Sequence, residues 1–576
     1  MVLFPAIEVV SRLFGTTGIV ASPVLVQHLT LYIGFSGAII ASRRNKLLSL
    51  SNSLLFNYDN QIVWPKIIAK VTTIVVVTVL ALGAWNLVMI EKEFPTDIAP
   101  FIPRWVALLI MPIGFASIAF HMIYNSYSKL KNRVILVALI ILIILLFQWE
   151  VLRDINLLPY ILIAAILFSL FKGAPIFIGL GGLALLFFWR DWTPISAISA
   201  ETYRIVVSPT LPTIPLFTLA GYMLAESKAS ERLVLLFRAL FGWIPGGTPV
   251  VLVLLCGFFT ALTGGSGVTI LALGGLLMPV LIKEGYSKKF SLGLITVAGS
   301  LGLLFPPSLP LIIYGVTAGI SIKSVFLAGI IPGLIRVGMI GSWAVWQGKV
   351  QSVSKHNFNL TKIISALKNA KWEAMIPFFV LFGIFGGYTT LVETASLISV
   401  YIFIIEFVIY KDLKFNDLRK IILDCSTLIG GVLIILGVAM GLTSYLVDAQ
   451  IPLHLLEWVK STISSKFVFL LMLNIFLLAV GCLMDIFSAI IIVVPLITPL
   501  GAYFGIDPIH LAIIFIANLE LGFLTPPVGM NLFLSSYRFE EPMSNIYKST
   551  LPFFVVMLLS VIAITYIPIL STWPLK

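Results

Sequence analysis

The chain of 576 residues is 59% hydrophobic and only 11% charged, less than half the charged share of about 25% in soluble domains, and its mean hydropathy is +1.08. A soluble globular fold is excluded, and the solvent is a bilayer. The formal charge of +12 is no nucleic-acid signature, because the basic residues gather in a few short loops, Arg43 to Lys46, Lys129 to Arg133, Lys349 to Lys371 and Lys411 to Lys420. That is the pattern of cytoplasmic loops.

In chain order, the first element is a short apolar start, Met1 to Val20, with Glu8 and Arg12 inside it. It is short for a span, so it either lies partly in the interface or belongs to a chain that starts further upstream. It lacks the charged flank and cleavage site of a secretory signal. Val24 to Ala41, Ile67 to Ile90 and Trp105 to Tyr124 then complete a small four-helix region over residues 1 to 130. Val134 to Phe147 is a further apolar run, and residues 131 to 156 are expected to form one extra crossing that joins this region to the next. Ala374 to Tyr410 is long enough for two passes, which returns the chain to the side of its basic loops.

From residue 157 to residue 576 the character changes, because glycines and prolines fall inside the apolar runs instead of between them. Proline removes a backbone donor and breaks a helix. Broken helices at membrane depth persist where the freed backbone lines a cavity or binds an ion. Two such interruptions match. Gly302-Leu303-Leu304-Phe305-Pro306-Pro307-Ser308 is echoed 220 positions later by Gly522-Phe523-Leu524-Thr525-Pro526-Pro527-Val528. Each follows a helix that begins after a Gly-containing loop, 284 to 287 in one copy and 504 to 508 in the other, and each loop follows an apolar segment carrying Pro279 or Pro495. Further upstream stand Thr263-Gly264-Gly265-Ser266-Gly267 in the first copy and Gly481 with Asp485 in the second. Paired interrupted segments of this kind point to a secondary transporter with its binding site at the interface of two repeats.

Enzymes and ATP-driven pumps are not expected. No HExxH, GxSxG, Walker A or GxGxxG phosphate loop stands in a fitting context, and no polar stretch is large enough for a nucleotide-binding domain. Cys256, Cys425 and Cys482 stand singly in apolar runs, and the five histidines are scattered, so neither a disulfide framework nor a metal site is indicated.

At these residues the chain resembles the tripartite ATP-independent periplasmic (TRAP) transporters, with the small and large membrane subunits fused. Residues 157 to 576 are similar to the large subunit through Ile214 to Gly221, Pro245-Gly246-Gly247, Lys283 to Tyr314, Ala328 to Gly333, Glu393-Thr394-Ala395 and Leu524 to Phe533, all in family order. Residues 1 to 130 are similar to the small subunit through Glu8 to Gly15, Leu31 to Lys46 and Pro112 to Phe115. Val268 departs from the small residue frequent at its position, and no Asp follows the first tip.

The resemblance implies an all-α integral membrane protein of the bacterial inner membrane, a multi-span helical transporter with inverted repeats and broken, re-entrant helices, working as an elevator. It implies sodium-coupled uptake of an organic acid delivered by a separate periplasmic substrate-binding protein, with lipid around it, no nucleic acid, and no cofactor beyond the coupling sodium ions. By the same likeness a first sodium ion would meet Thr263, Ser266, Gly302, Phe305 and Pro306, and a second would meet Gly481, Gly522, Thr525 and Val528. Among carboxylates in or beside apolar runs, Asp485, Glu393 and Glu520 stand out, since an intramembrane charge is a functional hypothesis by default. Asp485 shapes the ion or substrate cavity, or else caps a helix or closes a salt bridge. Asn518 and Asn531 are possible donors to a carboxylate substrate. A stand-alone sodium/dicarboxylate symporter and a non-transporting channel or scaffold subunit remain as alternatives.

Overall fold

A computed structural model describes residues 1–15, 18–19, 21–49, 64–100, 102–149, 152–153, 155–243, 247–350, 359–526 and 529–575. Val528, Pro245 and Gly246, and residues 351 to 358 of the third basic loop lie outside these. Nine described helices are long and apolar enough to cross a membrane, and the pair Lys288–Leu304 and Leu309–Ala318, bent by 44°, makes a tenth. The only described strands are the short antiparallel pair Asp97–Ala99 and Ile102–Pro103. The chain folds as two compact units, one holding residues 3–215 and 422–452, the other 216–421 and 453–576.

The first unit contains helices Ser22–Arg43, Trp64–Glu93, Arg104–Leu108 and Ile110–Ser126. The fourth expected segment is thus interrupted at Leu109. The apolar run at 134 to 147 lies in helix Leu130–Leu146, which packs on Trp64–Glu93 and Ile110–Ser126. Leu136 and Ile140 are its buried residues, so most of its surface is left for lipid, as a mostly apolar helix at a bundle's edge requires. Helix Ser22–Arg43 approaches the stretch of helix Phe415–Asp448 that belongs to this unit very closely. A Cβ on Gly37 would lie 2.0 Å from the Ser426 carbonyl oxygen and 3.1 Å from the Gly430 Cα. Small residues let the two backbones meet, which is how helices gain packing energy in lipid. The Arg44 guanidinium closes the end of the same interface on Asp424 at 2.7 Å.

In the second unit the helices occur in one order twice. Gly247–Thr263, Ser266–Lys283, Lys288–Ala298 with the 3₁₀ turn Leu301–Leu304, Leu309–Ala318 and Ile322–Val350 form the first copy. Lys466–Leu483, Ile486–Tyr503, Pro508–Gly522, Met530–Phe539 and Met543–Tyr566 form the second. The starts are set by local chemistry. Ser287 accepts from the Phe290 N–H, and its counterpart Asp507 accepts from the Ile509 and His510 N–H groups with Pro508 as the first helical residue, so the orphan donors of each first turn are satisfied.

The copies pack reciprocally. Helix Ser266–Lys283 lies on Met530–Phe539, and its counterpart Ile486–Tyr503 lies on Leu309–Ala318. Likewise Lys288–Ala298 packs on Met543–Tyr566 while Pro508–Gly522 packs on Ile322–Val350. Each copy therefore completes the other, the arrangement expected of repeats related by a pseudo-two-fold axis.

Candidate functional site

The first interruption pair is built around small residues and a threonine. Helix Gly247–Thr263 stops because Gly264 turns with φ +70°, a conformation open to glycine, and a Cβ there would fall 2.4 Å from Leu309 Cβ. That close approach sets the 263–266 turn against the restart of the chain after the Gly302–Ser308 break. Gly302 presses on the preceding helix, where a Cβ would meet the Gly257 carbonyl oxygen at 2.1 Å and the Ala261 nitrogen at 2.7 Å. Thr260, which sequence reasoning passed over, ties the cluster together. Its hydroxyl donates to the Gly299 carbonyl at 2.8 Å and lies 2.7 Å from the Thr269 hydroxyl. Phe305 sits at the end of the 3₁₀ turn, its N–H bonded to the Gly302 carbonyl at 3.0 Å and its ring against Gly333, with Pro306 next in the break.

The hydroxyls of Thr263 and Ser266 are buried, and neither has a hydrogen-bond partner among the described residues. A buried hydroxyl without a partner costs roughly 1–3 kcal/mol, so these two oxygens are left available to a ligand.

The second pair repeats the plan. Gly481 and Gly522 meet backbone to backbone, a Cβ on Gly522 falling 2.6 Å from Gly481 Cα. Thr525 follows one turn later, its N–H bonded to the Gly522 carbonyl at 2.9 Å and its hydroxyl donating to Leu521 O at 3.1 Å, which leaves that oxygen's lone pairs free. Gly529 returns to the first arm through an N–H bond to Cys482 O at 3.2 Å. Thus Thr263, Ser266, Gly302, Phe305 and Pro306 belong to one pair of facing breaks, and Gly481, Gly522 and Thr525 to the other.

The intramembrane polar residues divide by partner. Asp485 is the N-cap of helix Ile486–Tyr503, accepting from the Phe487 and Ser488 N–H groups at 3.1 Å each and from the Ser488 hydroxyl at 2.5 Å. Glu393 closes a capping box with Thr390. Asn518 donates to Asn474 Oδ1 at 2.7 Å and Ile514 O at 2.9 Å. Asn531 bridges the copies by donating to Thr296 O at 3.2 Å, while its Oδ1 is buried without a partner among the described residues.

Glu520 forms a fully buried ion pair with Arg336, whose other terminal nitrogen donates to Ala517 O at 2.7 Å. Arg336 was absent from the residues singled out by sequence, although a charge within the apolar run 322 to 350 was the signal to follow. A second, partly buried cluster was also missed. Arg232 pairs with Glu373, Glu406 and Asp412 while its guanidinium lies 3.9 Å from the Tyr410 ring centroid.

Two reciprocally packed copies, each with an apolar helix interrupted beside closely approaching glycines, fit a multi-span membrane transporter. Family comparison then fixes which. The profile of the tripartite ATP-independent periplasmic transporter DctM component matches residues 160–570, and that of the DctQ component matches residues 1–132. The chain belongs to the TRAP transporter family and is a multi-pass inner-membrane permease in which both membrane components are fused. It is 29% identical over 490 residues to the isethionate TRAP transporter permease protein DctMQ of Oleidesulfovibrio alaskensis, covering 84% of this chain and 77% of that protein. To the C4-dicarboxylate TRAP transporter large permease protein DctM of Vibrio cholerae it is 32% identical over 424 residues, 70% of this chain and 94% of the other. The ectoine TRAP transporter large permease protein TeaC of Halomonas elongata is 27% identical over 412 residues, 71% of this chain and 96% of its own.

Proposed function

We propose that this permease takes up an organic acid handed over by a separate periplasmic substrate-binding protein, drives that uptake with a sodium gradient, and moves its broken-helix region as an elevator. The observation that carries the reading is the pair of equivalent glycine-lined breaks, the first holding the buried, unpartnered hydroxyls of Thr263 and Ser266. In the proposed roles, Thr263, Ser266 and the main chain of Gly302, Phe305 and Pro306 hold one ion, while Gly481, Gly522, Thr525 and Val528 hold the other. Carbonyls freed at helix breaks supply hard oxygen ligands without a buried carboxylate.

An anionic substrate suits the same region. Helices Leu309–Ala318 and Met530–Phe539 both begin at the breaks, and helix N-termini favour negative charge. Asn531 would contact the substrate, Asn518 would support it from the neighbouring turn, and Asp485 would shape the cavity by fixing the start of its helix. Two of the relatives are described as isethionate and C4-dicarboxylate permeases, which supports an organic acid anion.

Uptake into vesicles containing the purified chain tests the partner. With an inward sodium gradient and loaded binding protein, labelled substrate should accumulate, and without binding protein it should not. Full uptake of free substrate would favour the stand-alone sodium/dicarboxylate symporter, and downhill equilibration without accumulation would favour a channel.

The ligands are tested by Ser266→Ala and Thr525→Ala. Each variant should raise the half-saturating sodium concentration about tenfold, as loss of roughly 1.4 kcal/mol of binding does. If the hydroxyls only pack, each change stays within about 1 kcal/mol of stability and the sodium curves coincide with that of the parent protein.

A further inference from the structure

A cavity of about 1180 Å³ opens in the second unit between helix Ala229–Phe241, helix Leu360–Asn369 and the start of helix Lys371–Phe385. Among the described residues five cations line it, Arg232, Arg238, Lys362, Lys368 and Lys371, and no carboxylate does. The two arginines of the lining are already paired. Glu373, Glu406 and Asp412 hold Arg232, and Glu284 holds Arg238. Lys362, Lys368 and Lys371 are exposed and take part in no ion pair found among the described residues. The lining therefore offers three uncompensated positive charges to whatever enters.

Helix Leu360–Asn369 has two faces and buries neither. Lys362, Ser365, Ala366 and Asn369 look into the cavity. On the opposite side Leu360, Ile364 and Leu367, spaced four and three residues apart, are 59%, 58% and 48% exposed. An amphipathic helix of this kind, set in a basic loop beside spanning helices, lies in the membrane interface with its apolar stripe in the acyl region. Trp243 and Trp372 line the same cavity, and tryptophan marks the headgroup level. Leu235 and Trp243, also in the lining, are 58% and 45% exposed, an apolar path leading out of a basic chamber.

We propose that this cavity holds the phosphate headgroup of an anionic phospholipid of the cytoplasmic leaflet, with its acyl chains running out over Leu235 and Trp243. A soluble anion would use the lysines and leave the apolar path and the Leu360, Ile364, Leu367 stripe in water. A zwitterionic lipid would use the path and leave the three lysines uncompensated. An anionic lipid satisfies both. Its binding braces helix Ala229–Phe241, which packs on the helix ending at Thr263.

The test titrates the full chain in dodecyl maltoside micelles with radiolabelled phosphatidylglycerol, with phosphatidylcholine and inorganic phosphate as separate competitors. Saturation near one lipid per chain is expected, with neither competitor displacing it at equal concentration. Lys362→Gln/Lys368→Gln/Lys371→Gln should weaken binding roughly a hundredfold, about a factor of five for each basic residue at an anionic surface. The corresponding triple Arg variant should bind like the parent chain, and Lys129→Gln/Lys131→Gln, in a basic loop of the first unit, should leave binding unchanged. Displacement by phosphate alone would make this a soluble-anion site, displacement by phosphatidylcholine a nonspecific lipid groove, and undiminished binding by the folded Gln triple would remove the lysines from it. Any of these overturns the proposal.

Discussion

Glu520→Ala should lower the stability of the folded protein by about 3–5 kcal/mol, the usual result of removing one partner from a buried ion pair. Arg336 and Glu520 are both fully buried, on helices Ile322–Val350 and Pro508–Gly522, which pack on each other. Without the carboxylate the guanidinium keeps its bond to Ala517 O, but its charge stays in a low-dielectric interior with nothing to balance it. Arg336→Met/Glu520→Leu removes both charges and should recover most of the loss, since replacing a buried pair with apolar groups is often neutral or better. Thermal unfolding in detergent reads both variants. A single variant within about 1 kcal/mol of the parent would mean that water or a neighbouring group solvates the arginine.

That pair also marks where the sequence stops being legible. The breaks could be read because their causes are local. Glycine at 264, 302, 481 and 522 and proline at 306 and 526 are residues that disfavour a continuous helix, so the repeated order of segments emerged from their spacing. The apolar run after the second basic loop was also plain in the sequence, and it forms helix Leu130–Leu146.

Arg336 and Glu520 lie 184 positions apart, and only the reciprocal packing of the copies brings them together. The cluster on Arg232 gathers carboxylates from positions 373, 406 and 412 in the same way. Lys349 to Lys371 was readable as charge, but its amphipathic helix was hidden because ten residues carry too few periods to stand out beside long apolar runs. Asp485 shows the reverse. Its neighbours Phe487 and Ser488 satisfy it as an N-cap, a reading the sequence had already placed beside the cavity role.

The glycines of the breaks offer the other large effect, because their requirement is steric and can be separated from ion chemistry by an internal control. Gly302→Ala would put a methyl group 2.1 Å from the Gly257 carbonyl oxygen and 2.7 Å from the Ala261 nitrogen. Both are backbone atoms of helix Gly247–Thr263, so no side chain can rotate away and the helix itself has to retreat. Overpacking of this kind costs typically 1–3 kcal/mol and occasionally more. Gly257 stands opposite yet has open space where its own Cβ would go. Gly257→Ala should therefore be tolerated and move stability upward, by up to about 1 kcal/mol from helix propensity.

Gly522→Ala should behave like Gly302→Ala, since its methyl group would meet Gly481 Cα at 2.6 Å. Because Gly302 and Gly522 also present main-chain oxygens proposed above as ion ligands, displacing either helix would move a proposed ligand as well as a packing neighbour. Uptake by Gly302→Ala and Gly522→Ala should fall below detection at sodium concentrations that saturate Gly257→Ala, with folded protein held equal by size-exclusion profile. Normal sodium dependence in either glycine variant would show that the close approach serves packing alone, and would leave the hydroxyls of Thr263, Ser266 and Thr525 to carry the ion sites.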